Sequence, residues 1–255
     1  MTYRKCPKKF EYMYKDADYF NYNTDDESQT DEQRKGSLFH QAVDLFFTKQ
    51  IGRVFTVGLH ETFRDAFPVG TEIDRWYEWF ADIEAKRYQK LCQMDKLGMF
   101  IPIAREIEVR MDDVIPRIGH IDRIDIDPET EDLIIVEYKT GKSYNMENKY
   151  AVTDMNAEIG FYVKIINSTN MFPNKKVTKW MVINPTLEKV WVNNISPVTL
   201  KVVDETFGIM VRKINNKEEF DRNIGVLCDY CPYVDDCLFE NKPLIEMPEE
   251  ITYES

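Results

Sequence analysis

The chain has 255 residues, with 33 Lys and Arg against 45 Asp and Glu, for a net charge of −12. Hydrophobic residues make up 43% and charged residues 31%, which excludes a disordered or collagen-like chain; a chain this long buries roughly 70–75% of its unfolded surface without help from disulfides. The acidic balance excludes a histone-like coat that binds by neutralising phosphates. It leaves room for an enzyme that meets nucleic acid through a local basic groove, or through metal ions held by its own carboxylates. No apolar run approaches the roughly 20 residues of a membrane helix, and no secretory signal follows the opening charges. The expectation is a soluble, intracellular (cytoplasmic) protein that makes no use of a membrane.

In chain order, residues 1–14 are short, aromatic and basic, and residues 15–35 read as a polar, acidic spacer around Asp25, Asp26 and Glu27. From Gly36 to Gln50, Phe39, Ala42, Val43 and Phe46 recur at helical steps. Residues 71–97 predict a longer helix carrying Trp76, Trp79, Phe80, Ile83, Tyr88 and Leu91, with Gly98 as its stop. Residues 103–111 and 117–127 alternate as strands do, Pro128–Asp132 is a turn, and Leu133–Lys139 is a second, apolar strand. A helix over 154–167, strands at 177–183 and 188–193 around an Asn-Pro turn, and a helix over 197–220 complete the pattern. Helices, a strand meander, a helix, further strands and helices together imply an α/β fold with a mixed sheet.

The strand–turn–strand unit carries the first chemical constellation. With the turn centred between Asp127 and Asp132, Asp122 falls opposite Glu137, and His120 opposite Lys139. Directly opposed residues have Cβ atoms roughly 4.5–5.5 Å apart, and Lys139 projects from the same face as Glu137. Two apposed carboxylates repel unless a cation lies between them. Hard oxygen ligands suit Mg²⁺ or Mn²⁺, and an adjacent lysine can serve an attacking water or a charged phosphate. An apolar strand ending in charges asks for such a reason. His120 stays open between a hydrogen-bonded strand residue and a site residue.

Gly119-His-Ile-Asp122-Arg-Ile-Asp125 followed by Ile135-Val-Glu137-Tyr-Lys139-Thr-Gly141-Lys142 resembles the core of the PD-(D/E)xK nuclease superfamily, in its RecB-like branch. That branch has an upstream helix with a glycine followed by a histidine, which Gly36-Ser-Leu-Phe-His40 matches, and a downstream Gln-x-x-x-Tyr helix. Here Glu158-Ile-Gly-Phe-Tyr162 keeps the tyrosine and replaces the glutamine. The resemblance implies a restriction-endonuclease-like core, with His40, Asp122, Glu137 and the backbone carbonyl of Tyr138 as metal ligands. It implies that Lys139 serves the nucleophilic water, and that Tyr162 holds the DNA strand or the active-site helix. On helical spacing alone His40 would be a packing residue beside Phe39 and Val43; the motif changes that reading.

Of five cysteines, Cys228-x-x-Cys231-x(5)-Cys237 forms one group, and Cys6 is a distant fourth candidate. An odd count argues against a disulfide framework. A zinc ribbon would show a second close pair, whereas three clustered cysteines plus one distant suit an iron–sulfur cluster. Cys92, inside a helical pattern, reads as a small buried hydrophobe. The resemblance extends to members of the same branch, AddB-type helicase–nucleases and CRISPR-associated exonucleases, that place this arrangement around a [4Fe–4S] cluster; zinc is the rival. Arg4, Lys5, Lys8, Lys9, Arg123, Lys142 and Lys149 offer a basic track for DNA.

The expectation is therefore one nuclease domain over 1–255, with a central mixed sheet flanked by helices. Its catalytic motifs lie in 36–167, and an iron–sulfur cluster joins 1–14 to 225–240. Its function would be metal-dependent cleavage of DNA, as an exonuclease or end-processing enzyme on single strands or free ends. It has no room for a helicase, so unwinding would need a helicase or another recombination or CRISPR-type partner. The rival readings are a structure-specific endonuclease on the same site, and a catalytically silent DNA-binding or assembly subunit.

Overall fold

The structure is a computed structural model and describes residues 5–14, 30–50, 70–111, 117–216, 220–225, 227–228 and 231–238. Arg4 and most of the expected acidic spacer, 15–29, lie outside the described residues. The chain forms two compact units, one of residues 28–206 and one of residues 1–27 with 207–255.

In the larger unit the first helix, α2 (Asp31–Gln50), begins five residues before Gly36; the shorter α1 (Pro7–Tyr14) belongs to the other unit. The early start has a local cause. Thr30 Oγ1 accepts from the backbone N–H of Gln33 at 3.3 Å, and Gln33 Oε1 accepts from the N–H of Thr30 at 2.9 Å, a reciprocal capping box. Helix α3 (Glu72–Gln93) is capped by Thr71 and stops before Gly98. Its end is made instead by Asp95, at φ 56°, and Lys96, whose N–H returns to Leu91 O at 2.9 Å. Gly98 lies in a short 3₁₀ turn, Leu97–Met99.

Strands β1 (Ala104–Met111), β2 (Arg117–Ile126), β3 (Leu133–Tyr138), β4 (Val177–Asn184) and β5 (Lys189–Asn194) form a sheet in that spatial order. All neighbours are antiparallel except β3 and β4. The parallel pair needs a crossover, supplied by α4 (Lys149–Thr169). This helix starts five residues earlier than its apolar spacing suggests, because Asn148 Oδ1 caps the N–H of Tyr150 at 2.9 Å. Helix α5 (Pro197–Asn215) starts on Pro197, favourable at a first helical position, behind a Ser196 cap, and ends five residues short of the expected 220.

Every residue of β3 is buried, as a strand covered on both faces requires. Ile134, Val136 and Tyr138 turn toward α2 and α3, where Phe39 meets Trp76, Phe80 and Tyr138 edge-on at 6.0, 6.2 and 6.1 Å between ring centres. Alternation sends Leu133, Ile135 and Glu137 to the other face. There α4 packs on β1 and β2, and Asn156 Oδ1 accepts the indole N–H of Trp180 on β4 at 3.0 Å.

Candidate active site

The pairs Arg123↔Val136 through Ile126↔Leu133 follow the register expected from the turn. The ladder stops one step short of Asp122 and Glu137. Beyond it Asp122 Oδ2 accepts the backbone N–H of Tyr138 at 2.7 Å, so the aspartate closes the end of the sheet with its side chain. Glu137 is 1% exposed. Its Oε2 accepts from Lys139 Nζ at 2.8 Å, while its Oε1 is buried without a hydrogen-bond partner. A buried carboxylate oxygen left unpaired costs free energy unless something positive meets it.

Lys139 Nζ also donates to Glu158 Oε1 at 3.2 Å, and the hydroxyl of Tyr162 donates to the same oxygen at 3.3 Å. The glutamate that replaces the expected glutamine thus joins the two residues that the motifs singled out. Burial pulls Lys139 down, but the carboxylates of Glu137, Glu158 and Asp122 outweigh it and hold the ammonium well above the usual lysine range. Burial, reinforced by the charge of Asp122, pushes Glu137 well above the usual carboxylate range. The ring of Tyr162 lies where β2 has no side chain: a Cβ on Gly119 would stand 2.6 Å from Tyr162 Cε1.

His40 arrives from the other face of the sheet. A Cβ on Gly36 would stand 3.1 Å from Thr140 Oγ1, so the glycine lets α2 approach the end of β3 closely, and His40 follows about one turn later. Its Nε2 lies 3.2 Å from Tyr138 O, and its Nδ1 lies 3.4 Å from Asp122 Oδ1 and 3.9 Å from Glu106 Oε1. Burial disfavours its charged form, but the hydrogen bond and charge of Asp122, with Glu106, raise its pKa overall. Among the described residues, one ligand atom each from His40, Glu106 and Asp122 lie within 4.8 Å of one another, and these three form the one such set. The donor set suits a hard divalent cation; Glu137, whose Oε1 is left unpaired, lies outside that set. Glu106 carries no sequence signal of its own: it stands among alternating charges on β1, and its place across from Asp122 follows from the β1–β2 register, which pairs Arg105 with Arg123 and Ile107 with Ile121.

Two expectations of position fail. His120 pairs with Glu108 on β1, the β2–β3 ladder ends at Arg123↔Val136 before it reaches His120 and Lys139, and the His120 side chain is 70% exposed. Arg123 is no groove residue: it is 1% exposed, bonded to Asp125 at 2.8 and 2.6 Å, Glu84 at 2.8 Å and the Tyr138 hydroxyl at 3.2 Å, with its guanidinium 4.6 Å from the Phe47 ring. Glu84, which also accepts from Arg87 at 2.7 Å, is the partner the helical pattern gave no reason to single out. Lys5, Lys142 and Lys149 are exposed, whereas Lys8 and Lys9 are half-buried.

In the smaller unit Cys6, Cys228, Cys231 and Cys237 line one pocket. The turns holding them are backbone-bonded: Cys228 N–H to Gly225 O at 2.9 Å, Cys231 N–H to Cys228 O at 3.0 Å and Cys237 N–H to Tyr233 O at 2.9 Å. The backbone N–H of Lys9 points at Cys6 Sγ at 3.5 Å. No three of these thiols come within 4.8 Å of one another. Cys92 is exposed on α3, not buried as expected, because the inward position of that turn belongs to Leu91.

The family model of the PD-(D/E)XK nuclease superfamily matches residues 1–238. The chain belongs to that superfamily. Its members are metal-dependent nucleases, and membership implies DNA as substrate. Among curated proteins none matches. Two solved structures are similar to the chain. One, from Eubacterium rectale, bears the name "Putative exonuclease"; the two share 11% identity over 87% of this chain and 79% of that one, with a TM-score of 0.46. The other, named SSO0001, shares 12% identity over 77% of this chain and 92% of that one, with a TM-score of 0.31. Within the superfamily, the central mixed sheet with helices on both faces is the nuclease core of this chain. No described helix is long and apolar enough to cross a membrane.

Proposed function

We propose that this protein is a deoxyribonuclease of the RecB-like branch, using Mg²⁺ or Mn²⁺ to trim single-stranded DNA or free ends as an exonuclease or end-processing enzyme. The observation that carries this reading is the meeting, at the end of β3, of Asp122, Glu137 with its unpaired oxygen, Lys139, and His40 facing the Tyr138 carbonyl. Asp122, Glu137, His40 and the carbonyl of Tyr138 would hold the metal. When bound, the cation supplies Lewis-acid charge and a water of lowered pKa. Lys139 would serve the attacking water or stabilise charge on a phosphate oxygen. Glu158 orients that ammonium, and Tyr162 anchors Glu158. The exposed Lys142, three residues beyond Lys139, and the exposed Lys149, at the start of α4, would follow a phosphate backbone.

The proposal includes a [4Fe–4S] cluster on Cys6, Cys228, Cys231 and Cys237. Its support is the one pocket that these four soft ligands line and their sequence pattern of three clustered cysteines and one distant. Phosphodiester hydrolysis moves no electrons, so the cluster's part is structural. A helicase or a recombination or CRISPR-type partner would supply any unwinding.

The test uses end-labelled linear and circular DNA, single- and double-stranded, with Mg²⁺, Mn²⁺ or EDTA. Metal-dependent release of nucleotides from linear single strands is expected, together with losses of at least about a hundredfold for Asp122→Ala, Glu137→Ala and Lys139→Ala. Cleavage of circular single strands would turn the reading to an endonuclease. Full activity of any of the three variants would sink the assignment of the site, and a wild-type protein that binds DNA without cutting it would indicate a silent subunit.

A further inference from the structure

We propose that Tyr144 is a stacking platform for a nucleobase of the DNA strand, the base next to the phosphate that Lys139 serves. This rests on the reading of the site as one that cleaves single-stranded DNA. Tyr144 ends the short 3₁₀ turn Lys142–Tyr144, which follows β3 just beyond Lys139. Its ring centre lies 5.7 Å from Lys139 Nζ, the atom that also bonds Glu137 and Glu158. Tyr144 is nevertheless 37% exposed. The π-face of a tyrosine attracts an ammonium, and it also stacks on any base, because every base has a π-face of its own. A base is only one sugar away from its phosphate. A ring beside the lysine is therefore within reach of the nucleotide at the cleaved bond.

The loop that carries the ring is anchored from below. The backbone N–H of Tyr144 donates to Gly141 O at 3.1 Å. Gly141 O also accepts from Asn184 Nδ2 at 3.0 Å, and Asn184, the last residue of β4, is fully buried. Asn184 Oδ1 accepts the N–H of Leu187 at 3.0 Å, and the hydroxyl of Thr186 in that turn donates to Thr140 O at 2.5 Å. Residues 140 and 141 are thus tied to the turn between β4 and β5. A Cβ on Gly141 would stand 3.2 Å from Tyr144 Cδ2, so the ring settles on the glycine where a side chain would push it away. A ring fixed before the strand arrives loses little freedom when a base covers it. The exposed Lys142 of the same turn supplies charge for the strand's phosphates. An aliphatic side chain would cover the Lys139 stem as well as a tyrosine does, and the test separates cover from stacking.

The experiment follows cleavage of labelled single-stranded oligonucleotides by the full-length protein in Mn²⁺, with each cut bond resolved, so that the cut itself reports the register. One oligonucleotide is intact; the others each carry one abasic sugar. Tyr144→Ala is expected to lower kcat/KM on intact DNA about five- to a hundredfold, mainly through KM, and Tyr144→Leu by a similar factor, whereas Tyr144→Trp should stay within about threefold of wild type. With wild type, the bond beside the abasic sugar should slow by about the factor that Tyr144→Ala costs. With Tyr144→Ala, the abasic sugar should cost nothing further at that bond, because the base it lacks has no ring to meet. Tyr144→Leu cutting as wild type would show that the ring only covers Lys139, and would overturn the platform. An abasic penalty equal in wild type and Tyr144→Ala would overturn it too. The leucine and tryptophan variants decide the matter should the alanine variant fail to fold. Wild type that cuts no bond overturns the underlying reading of the site, and the platform falls with it.

Discussion

At Lys139 three carboxylates surround one ammonium, and Glu158 is the one that can be changed without touching a proposed metal ligand. Glu158→Gln keeps an acceptor for Lys139 and for the Tyr162 hydroxyl, so the cleavage rate is expected to stay within about threefold of wild type. Glu158→Leu removes both bonds. A hydrogen bond to a charged group is worth about 1.5–3 kcal/mol, so a rate loss of roughly ten- to a hundredfold is expected; equal rates for the two variants would remove Glu158 from the positioning of Lys139. Tyr138 acts at the same scale from the opposite face. Its backbone meets Asp122 and His40, while its phenol accepts from the buried Arg123 at 3.2 Å. Tyr138→Phe removes one of several bonds to that guanidinium and should cost about 1 kcal/mol in urea unfolding. A neutral result would show that Glu84 and Asp125 alone satisfy Arg123.

Between elements, contact is set by what is missing as much as by what is present. Helix α4 comes near β2 because Gly119 has no Cβ where the Tyr162 ring lies. Gly119→Ala should destabilise by about 1–3 kcal/mol through overpacking, and the loss should shrink when Tyr162→Ala is added; a loss unchanged in the double variant would mean the ring is not its cause. At the far end of the sheet Asp127, which closes the β2–β3 turn, is 2.6 Å from Lys179 on β4. Burial would raise the Asp127 pKa, but Lys179 and the backbone N–H of Glu129 lower it below 3.8. Lys179 is raised above 10.5, first by its hydrogen bond to Asp127. A depressed carboxylate contributes stability above its unfolded pKa and loses it as pH falls through the folded value. A raised lysine keeps its contribution below its unfolded pKa and loses it as pH rises through the folded one. Lys179→Met should therefore lower Tm by a constant amount across the neutral range, with the gap to wild type closing below about pH 3.8. A gap that persists in acid would assign the effect to lost packing of the lysine stem.

For the whole molecule the cysteines provide the decisive measurement. Cys6 comes from near the start of the chain and the other three from near its end, so a shared centre would close a very long loop, which constrains the unfolded chain. Anaerobically purified protein is expected to be brown, with about four iron and four sulfide per chain. Cys6→Ala, Cys228→Ala, Cys231→Ala and Cys237→Ala should each lose the colour and lower Tm, and Cys92→Ala, changed at an exposed position, should do neither. Colourless protein holding one zinc would replace the cluster by a structural zinc site. A brown and stable Cys6→Ala would remove the N-terminal segment from the centre.

The sequence by itself determined the elements and the register. Apolar alternation with a Pro-containing turn placed β2 against β3 in the observed pairing, because a one-residue slip would turn every side chain to the wrong face. Motif spacing carried Asp122, Glu137, Lys139, His40 and Tyr162 to one end of the sheet. Helix starts at Thr30 and Asn148 were written there too, as capping residues that apolar spacing alone does not reveal. Only the tertiary structure decided which charges are buried. Arg123 and Glu84 are ordinary polar letters in chain order, and they become a sealed pair because α3 lies over β2. Glu106 meets Asp122 only through the β1–β2 register, and His120 meets solvent for the same reason. Local periodicity specifies which face a residue takes, whereas its partner across a face depends on long-range packing that no single stretch of sequence contains.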